Sequence, residues 1–269
     1  MRSKDMKKAA IMVMGLLSVV LTVSLQAAEA PMVDEIIDQT NLAAYYAGDD
    51  GRAEVAMTIT DAQNRTRKRE FIILRRDVTN GGQQQFYLYF KKPSDVRKMV
   101  FMVHKHIIKD DDRWLYLPAL DLVKRIAAAD KRTSFVGSHF LYEDVSGRSV
   151  TEDKHELVET TDKYYVLKNI PNDPASVEFS SFTIWVDKRN FMPVKAEYLD
   201  KDGRKYREVE ALEIEDIQGF PTVVKSRVRD LVSGGETLSI FKNIKYNIGL
   251  KENIFTERYL RRPPREVRK

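Results

Sequence analysis

Histidine is the side chain whose ordinary titration range best suits proton transfer and metal ligation near neutral pH. The chain has four: His104, His106, His139 and His155. His104 and His106 stand two apart on a predicted strand, with Asp110, Asp111 and Asp112 as oxygen donors close behind. Both rings then face one side, which could begin a metal site. The plainer reading is a polar row beside Lys105 and Lys109 with the acidic triplet as a turn, and no metal is expected. His139 and Glu143 form an i,i+4 pair if residues 138–145 make a helical turn. Acid–base chemistry also needs a nucleophile or a substrate pocket beside such a pair. The chain carries no Gly-x-Ser-x-Gly elbow, no His-Glu-x-x-His pair, no phosphate loop and no dinucleotide fingerprint. It also has no cysteine, which removes disulfides, thiolate metal sites and a Cys nucleophile together. No catalytic residue and no cofactor is expected, and the protein reads as a non-enzyme.

Aromatic runs are the next candidates. Phe86-Tyr87-Leu88-Tyr89-Phe90 and Trp114-Leu115-Tyr116 could stack bases. Nucleic-acid binding also needs a basic stripe, and the charge is spread instead. Beyond residue 28 the chain has 41 basic against 39 acidic side chains, with only Arg258, Arg261, Arg262, Arg265, Arg268 and Lys269 clustered. No nucleic-acid partner is expected, and the aromatics belong to a core or an apolar cavity.

The first 28 residues read as a secretory signal peptide. Arg2, Lys4, Lys7 and Lys8 precede seventeen uncharged residues from Ala9 to Leu25, and small residues follow at Ala27, Ala28 and Ala30. That order is the one the export machinery reads. Cleavage between Ala27 and Ala30 leaves a soluble periplasmic domain over 29–269. An uncleaved inner-membrane signal anchor is the alternative, since about 20 apolar residues span a bilayer.

The elements that must position any site follow from periodicity. Val33, Ile36, Ile37 and Ala44 recur at helical spacing between Pro31 and Ala47, which predicts one short amphipathic helix. After it the period becomes two. Val55, Met57 and Ile59 alternate with polar neighbours, as do Phe86, Leu88 and Phe90, and Phe182, Ile184 and Val186. Turn signals stand at Asp50-Gly51, Asn80-Gly81-Gly82, Asp202-Gly203 and Ser233-Gly234-Gly235. The class is mostly β, an antiparallel meander. Long strands are expected at 66–76, 96–109, 203–215 and 221–232. Many long twisted strands curl, so the expected architecture is a barrel, or a half-open one, with the apolar row on its concave side. The inner row, with Phe101 and Val103 added, is expected to line an apolar cavity of the kind that holds apolar ligands.

The stretch from Arg113 to Asp144 differs from a generic strand. Trp114, Tyr116 and Pro118 are rigid and apolar, Lys124 and Arg125 are basic, and Gly137 offers a joint before Ser138. A strand ending in Pro leaves its ladder or lies at an edge, so these five residues are expected at the cavity mouth or in partner contact. Lys131 and Arg132 are expected to face headgroups or a partner. The run Arg113-Trp114-Leu115-Tyr116-Leu117-Pro118, continuing through Ser134-Phe135-Val136-Gly137-Ser138-His139-Phe140, resembles the signature of the outer-membrane lipoprotein-sorting-protein-like family. Members of that family are relatives of the periplasmic lipoprotein carrier and its outer-membrane receptor. Trp185-Val186-Asp187, Pro193-Val194-Lys195-Ala196-Glu197-Tyr198 and Phe255-Thr256-Glu257-Arg258-Tyr259-Leu260 extend the resemblance along the rest of the chain. The resemblance implies a strongly curved, unclosed antiparallel β-barrel with a few short helices as a lid, lipid or acylated-protein cargo, and work beside an inner-membrane exporter of the resistance–nodulation–division type. The expected function is therefore a monomeric periplasmic carrier or chaperone that moves such cargo toward the outer membrane. A non-carrier adaptor module of an envelope transport complex is the alternative.

Overall fold

Alternation of apolar and polar residues builds strands with one covered face, and it dominates residues 31–268, which the computed structural model describes. The export segment expected over 1–28 lies outside the described residues. Helix α1 (Val33–Tyr45) carries Asp34 and Glu35 in its first turn, where acidic groups complement the helix dipole, and it buries Ile36, Ile37 and Thr40. Six strands follow: β1 (Asp50–Thr60), β2 (Thr66–Asp77), β3 (Gln84–Lys92), β4 (Val100–Lys105), β5 (Asp112–Leu117) and β6 (Leu122–Ile126). Helix α2 (Tyr142–Ser146) separates them from β7 (Asp153–Thr160), β8 (Tyr164–Pro171), β9 (Phe179–Asp187) and β10 (Pro193–Asp200). The last strands are β11 (Lys205–Ile217), β12 (Phe220–Asp230) and β13 (Gly235–Tyr246), followed by α3 (Arg258–Arg261). Among the described residues no helix is long and apolar enough to cross a membrane.

All thirteen strands form one sheet in the order β6-β5-β4-β3-β2-β1-β13-β12-β11-β10-β9-β8-β7. Each neighbouring pair is antiparallel, and β1 against β13 welds two meanders together. β6 and β7 are the two ends of that order, so the sheet is mostly-β, antiparallel and unclosed, as the sequence predicts. The side chains prove the curvature. Lys105 on β4 donates to the Ser146 carbonyl at 2.7 Å, and Arg207 on β11 donates to Asp144 at 2.5 Å. On a flat sheet those strands, six places apart, would lie roughly 29 Å from each other. Both nonetheless reach α2, a helix of five residues. The sheet curls around it.

Two expectations change. The long strand expected over 96–109 is only Val100–Lys105, because residues 106–111 turn and Asp111 accepts the His106 N–H at 3.1 Å. Asp50-Gly51 is not a turn. Both residues lie in β1, and the Asp50 carboxylate accepts the N–H groups of Ile248 at 2.7 Å and Leu250 at 2.5 Å. The turns at Gly81 and Gly234 do need glycine, with φ of 64° and 75°.

The inner face carries α1, α2 and the loop 127–141. Phe135 is driven into it among Phe71, Phe90, Phe101 and Tyr142, with ring centroids 5.4–6.3 Å away. The outer face of β2–β6 is covered as well. There Ile254, Phe255, Leu260 and Val267 of the C-terminal segment join Ile72, Leu74, Tyr87, Met102 and Trp114 in a second core. The Tyr87 hydroxyl donates to the Tyr259 carbonyl at 2.7 Å.

Candidate functional site

A cavity remains between α1, α2 and the inner face. One lobe of about 300 Å³ has Val55, Met57, Phe71, Ile73, Phe86 and Leu88 on its sheet side, with Ala43, Ala44 and Ala47 of α1 opposite. A second lobe of about 380 Å³ is bounded by Phe182, Ile184, Val194, Ala196, Tyr198 and Val209. The lobes share Ala44, Tyr45, Phe140, Asp144, Met192, Val223 and Phe241, so they adjoin. Volumes of this size are those of small-molecule sites, and the lining is of the mostly apolar type they use.

Period two explains the wall. On β2 Phe71, Ile73 and Arg75 share a face, and on β13 Ser239 and Phe241 do. Arg75 holds the helix in place. Its guanidinium donates to the carbonyls of Tyr45 at 2.8 Å, Ala47 at 2.6 Å and Gly48 at 2.6 Å, and pairs with Asp77 at 2.8 Å. α1 has no basic residue in its own last turn, so a strand supplies the charge that the carbonyl end of a helix favours. At Gly147 any Cβ would sit 2.4 Å from the Tyr45 ring, so glycine permits the two helical segments to touch there.

The other side of the cavity is fixed by buried charge. Glu143, 3% exposed at its side chain, meets Arg132 at 2.5 Å, Lys131 at 3.4 Å and Arg148 at 3.5 Å. Burial pushes the Glu143 carboxyl up, but the three cations outweigh it and hold it below the usual carboxylate range. Glu178 is likewise desolvated, yet hydrogen bonding from Arg132 draws it down to about 2. Burial lowers Lys105, whose ammonium lies 5.0 Å from the centre of the Tyr45 ring.

Of the residues expected to line a cavity, Val55, Met57, Phe86 and Leu88 line the first lobe, and Phe182 and Ile184 the second. Ile59, Phe90, Phe101 and Val103 share the inner face but are packed solid with Phe135. Val186 is fully buried in the cluster of Ile36 and Ile37 from α1. None of the five residues expected at the mouth or in partner contact lines either lobe. Trp114 and Tyr116 point to the outer face under the C-terminal segment, because Leu115 on the same strand takes the inner side. Pro118 opens a 3-10 turn beyond β5, and Lys124 and Arg125 are exposed on edge strand β6, Arg125 paired with Asp112. Lys131 and Arg132 turn inward to Glu143 instead of outward, since a buried carboxylate binds them more strongly than water-exposed groups do.

The histidines are held separately. His104 Nε2 lies 2.8 Å from the Phe255 carbonyl, His106 pairs with Asp112 at 2.9 Å, and His155 sits between Asn169 and the Val150 carbonyl. His139 bonds Thr237 at 2.8 Å and burial lowers its titration range, so it makes no pair with Glu143. Among the described residues no cluster of three or more metal-ligating side chains forms. The residues of the wall not anticipated include Ala43, Ala44 and Tyr45 of α1, Phe71 and Ile73, Val194, Ala196, Tyr198 and Val209, and Ser239 and Phe241. Period two in 69–75 and 237–241 is the signal that would have found the residues of β2 and β13.

Comparison with known proteins agrees with this architecture. A model of a family described as uncharacterized-protein-like matches residues 82–262, two thirds of the chain. An outer-membrane lipoprotein-sorting protein domain from Vibrio parahaemolyticus superposes with a TM-score of 0.77 at 27% identity, covering 85% of this chain and 97% of that one. The chain belongs to the outer-membrane lipoprotein-sorting-protein-like family. A DUF1329 family protein from Desulfovibrio piger is as similar, with the same TM-score, identity and coverage. A LolA superfamily protein from Nitrosomonas europaea shares the fold of the lipoprotein-sorting-like chain at 20% identity, with a TM-score of 0.66 over 86% of this chain and all of that one. Comparison with curated proteins yields no match.

Proposed function

We propose that the protein is a non-enzymatic, monomeric carrier of the periplasm that holds the acyl chains of lipid or acylated-protein cargo between α1 and the curved sheet. The single observation that carries this reading is the apolar cavity of two adjoining lobes. Each methylene moved from water into such a wall contributes about 0.8 kcal/mol. Moderate affinity suits a carrier, because cargo must leave again for an acceptor. Kinship with sorting proteins supports a route toward the outer membrane. The exposed Lys124 and Arg125 at the β6 edge are offered for contact with an inner-membrane exporter of the resistance–nodulation–division type.

Purification from native cells followed by native mass spectrometry and lipid extraction tests the reading. Bound acylated species are expected at about one per chain. Protein that leaves cells empty and takes up no apolar probe would favour the adaptor reading. Charge reversal of Lys124 and Arg125 is expected to impair cargo transfer while changing stability by no more than about 0.5 kcal/mol.

A further inference from the structure

A cavity that accepts lipid must also decide how much of the polar head enters with the chain. Here the charges of the wall are already matched. In the first lobe Arg52 pairs with Glu54 at 2.9 Å, Arg75 with Asp77 at 2.8 Å and Asp144 with Arg207 at 2.5 Å. In the second, Glu143 pairs with Arg132 at 2.5 Å, Arg148 with Asp153 at 2.8 Å, Lys195 with Glu197 at 2.7 Å and Glu210 with Arg227 at 2.6 Å. His155 is held on both ring nitrogens, and the lining tyrosines Tyr45, Tyr198 and Tyr246 all titrate above their ordinary value because burial disfavours the phenolate. A charged group drawn inside therefore meets no spare counter-ion, and burying an unpaired charge is far costlier than burying a neutral polar group.

One polar group on the wall is unmatched. The Ser239 hydroxyl is buried, 1% exposed, lines the first lobe and has no hydrogen-bond partner. The other buried side chains with unpartnered polar atoms, Arg207 among them, lie off the wall. Ser239 pairs across the sheet with Met57 on β1 and with Ser226 on β12, which lines the second lobe. It therefore stands on the first lobe's wall, one strand away from a residue that lines the second. An orphaned buried hydroxyl costs stability unless a ligand answers it.

We propose that the cavity takes acyl chains in neutral, ester- or amide-linked form, that Ser239 Oγ donates a hydrogen bond to the linkage carbonyl, and that free fatty-acid anions are excluded. The inference rests on the carrier reading and narrows its cargo. A carboxylate could also accept from Ser239, but one neutral donor does not replace the hydration of a full charge. A free acid enters only after it is protonated.

The test displaces a neutral fluorescent probe, N-phenylnaphthylamine, from the full chain with methyl decanoate or decanoic acid between about pH 6 and 8. The ester's affinity should stay level. The acid's should fall about tenfold per pH unit, because the carboxyl ionises near about 4.3 and only its neutral form binds. Ser239→Ala should weaken the ester about fivefold, the share of one net hydrogen bond, while leaving the probe's affinity and the melting temperature undiminished. A pH-independent affinity for the acid, or an ester indifferent to Ser239→Ala, overturns the proposal and leaves the carrier reading standing. Failure of the probe itself to bind overturns both.

Discussion

The residue that most repays attention is Glu143, which the sequence offers only as a helical partner of His139. It is the hub that keeps Lys131, Arg132 and Arg148 inside the protein. Removing one member of a buried ionic cluster strands the others, and such losses run to about 3–5 kcal/mol. Glu143→Gln, read by chemical denaturation, should destabilise by that order, whereas Glu213→Gln should lie within about 0.5 kcal/mol, its partner Lys225 being on the exposed rim. The pH dependence has a definite sign. Glu143 and Glu178 have folded-state carboxyls below their ordinary value of 4.5. Their contribution is therefore complete above about pH 4.5 and is lost as pH falls through the folded values, for Glu178 down to about 2. Wild-type stability should decline across that acid window. In Glu143→Gln the decline should be shallower, and an equally steep acid limb would show that other carboxylates carry it.

Elements set what single residues cannot. α1 lies over the cavity on a hydrophobic face at one end and on the Arg75 guanidinium at the other. Arg75→Ala should free the carbonyls of Tyr45, at the end of α1, and of Ala47 and Gly48 just beyond it, and cost about 1.5–3 kcal/mol, with faster amide exchange confined to 33–48 and near-native circular dichroism. Unchanged exchange in α1 would mean the apolar face alone retains it. The same element shows where sequence reading succeeds and stops. Val55, Met57 and Ile59 alternate cleanly because β1 is polar on its outer side, and the inner row is legible. Trp114-Leu115-Tyr116-Leu117 does not alternate, because both faces of β5 are covered, and the covering Phe255 and Leu260 come from the far end of the chain. Nor does the pattern separate Phe86 from Phe90. They share a strand and a face, and only the arrival of Phe135 makes one wall and the other core. Phe135→Ala is the matching test: a loss of about 3–5 kcal/mol is expected, as for large aromatic truncations, together with greater uptake of an apolar probe.

At the scale of the molecule the two halves of the sheet are built differently. β3 and β4 are buried along almost their whole length, between Phe135 on the inside and the C-terminal segment outside. No residue of β10 is fully buried, and β10–β12 carry a ladder of ion pairs, Lys205 with Glu197 at 2.9 Å and Arg227 with Glu210 at 2.6 Å among them. Exposed pairs of that sort contribute about 0–1 kcal/mol each, far less than a second hydrophobic layer. The half that bounds the second lobe should therefore open first, giving bulky cargo a way in that leaves β1–β5 intact. Native-state hydrogen exchange measures this directly. Amides of β2–β5 should exchange only through global unfolding, those of β9–β12 through a smaller opening that raised salt promotes by screening the ladder. A bound acyl ester should slow exchange in β9–β12 and in α1 more than in β3 or β4. Uniform protection across the thirteen strands, or a ligand effect confined to β3 and β4, would mean that cargo enters without parting the weaker half of the sheet.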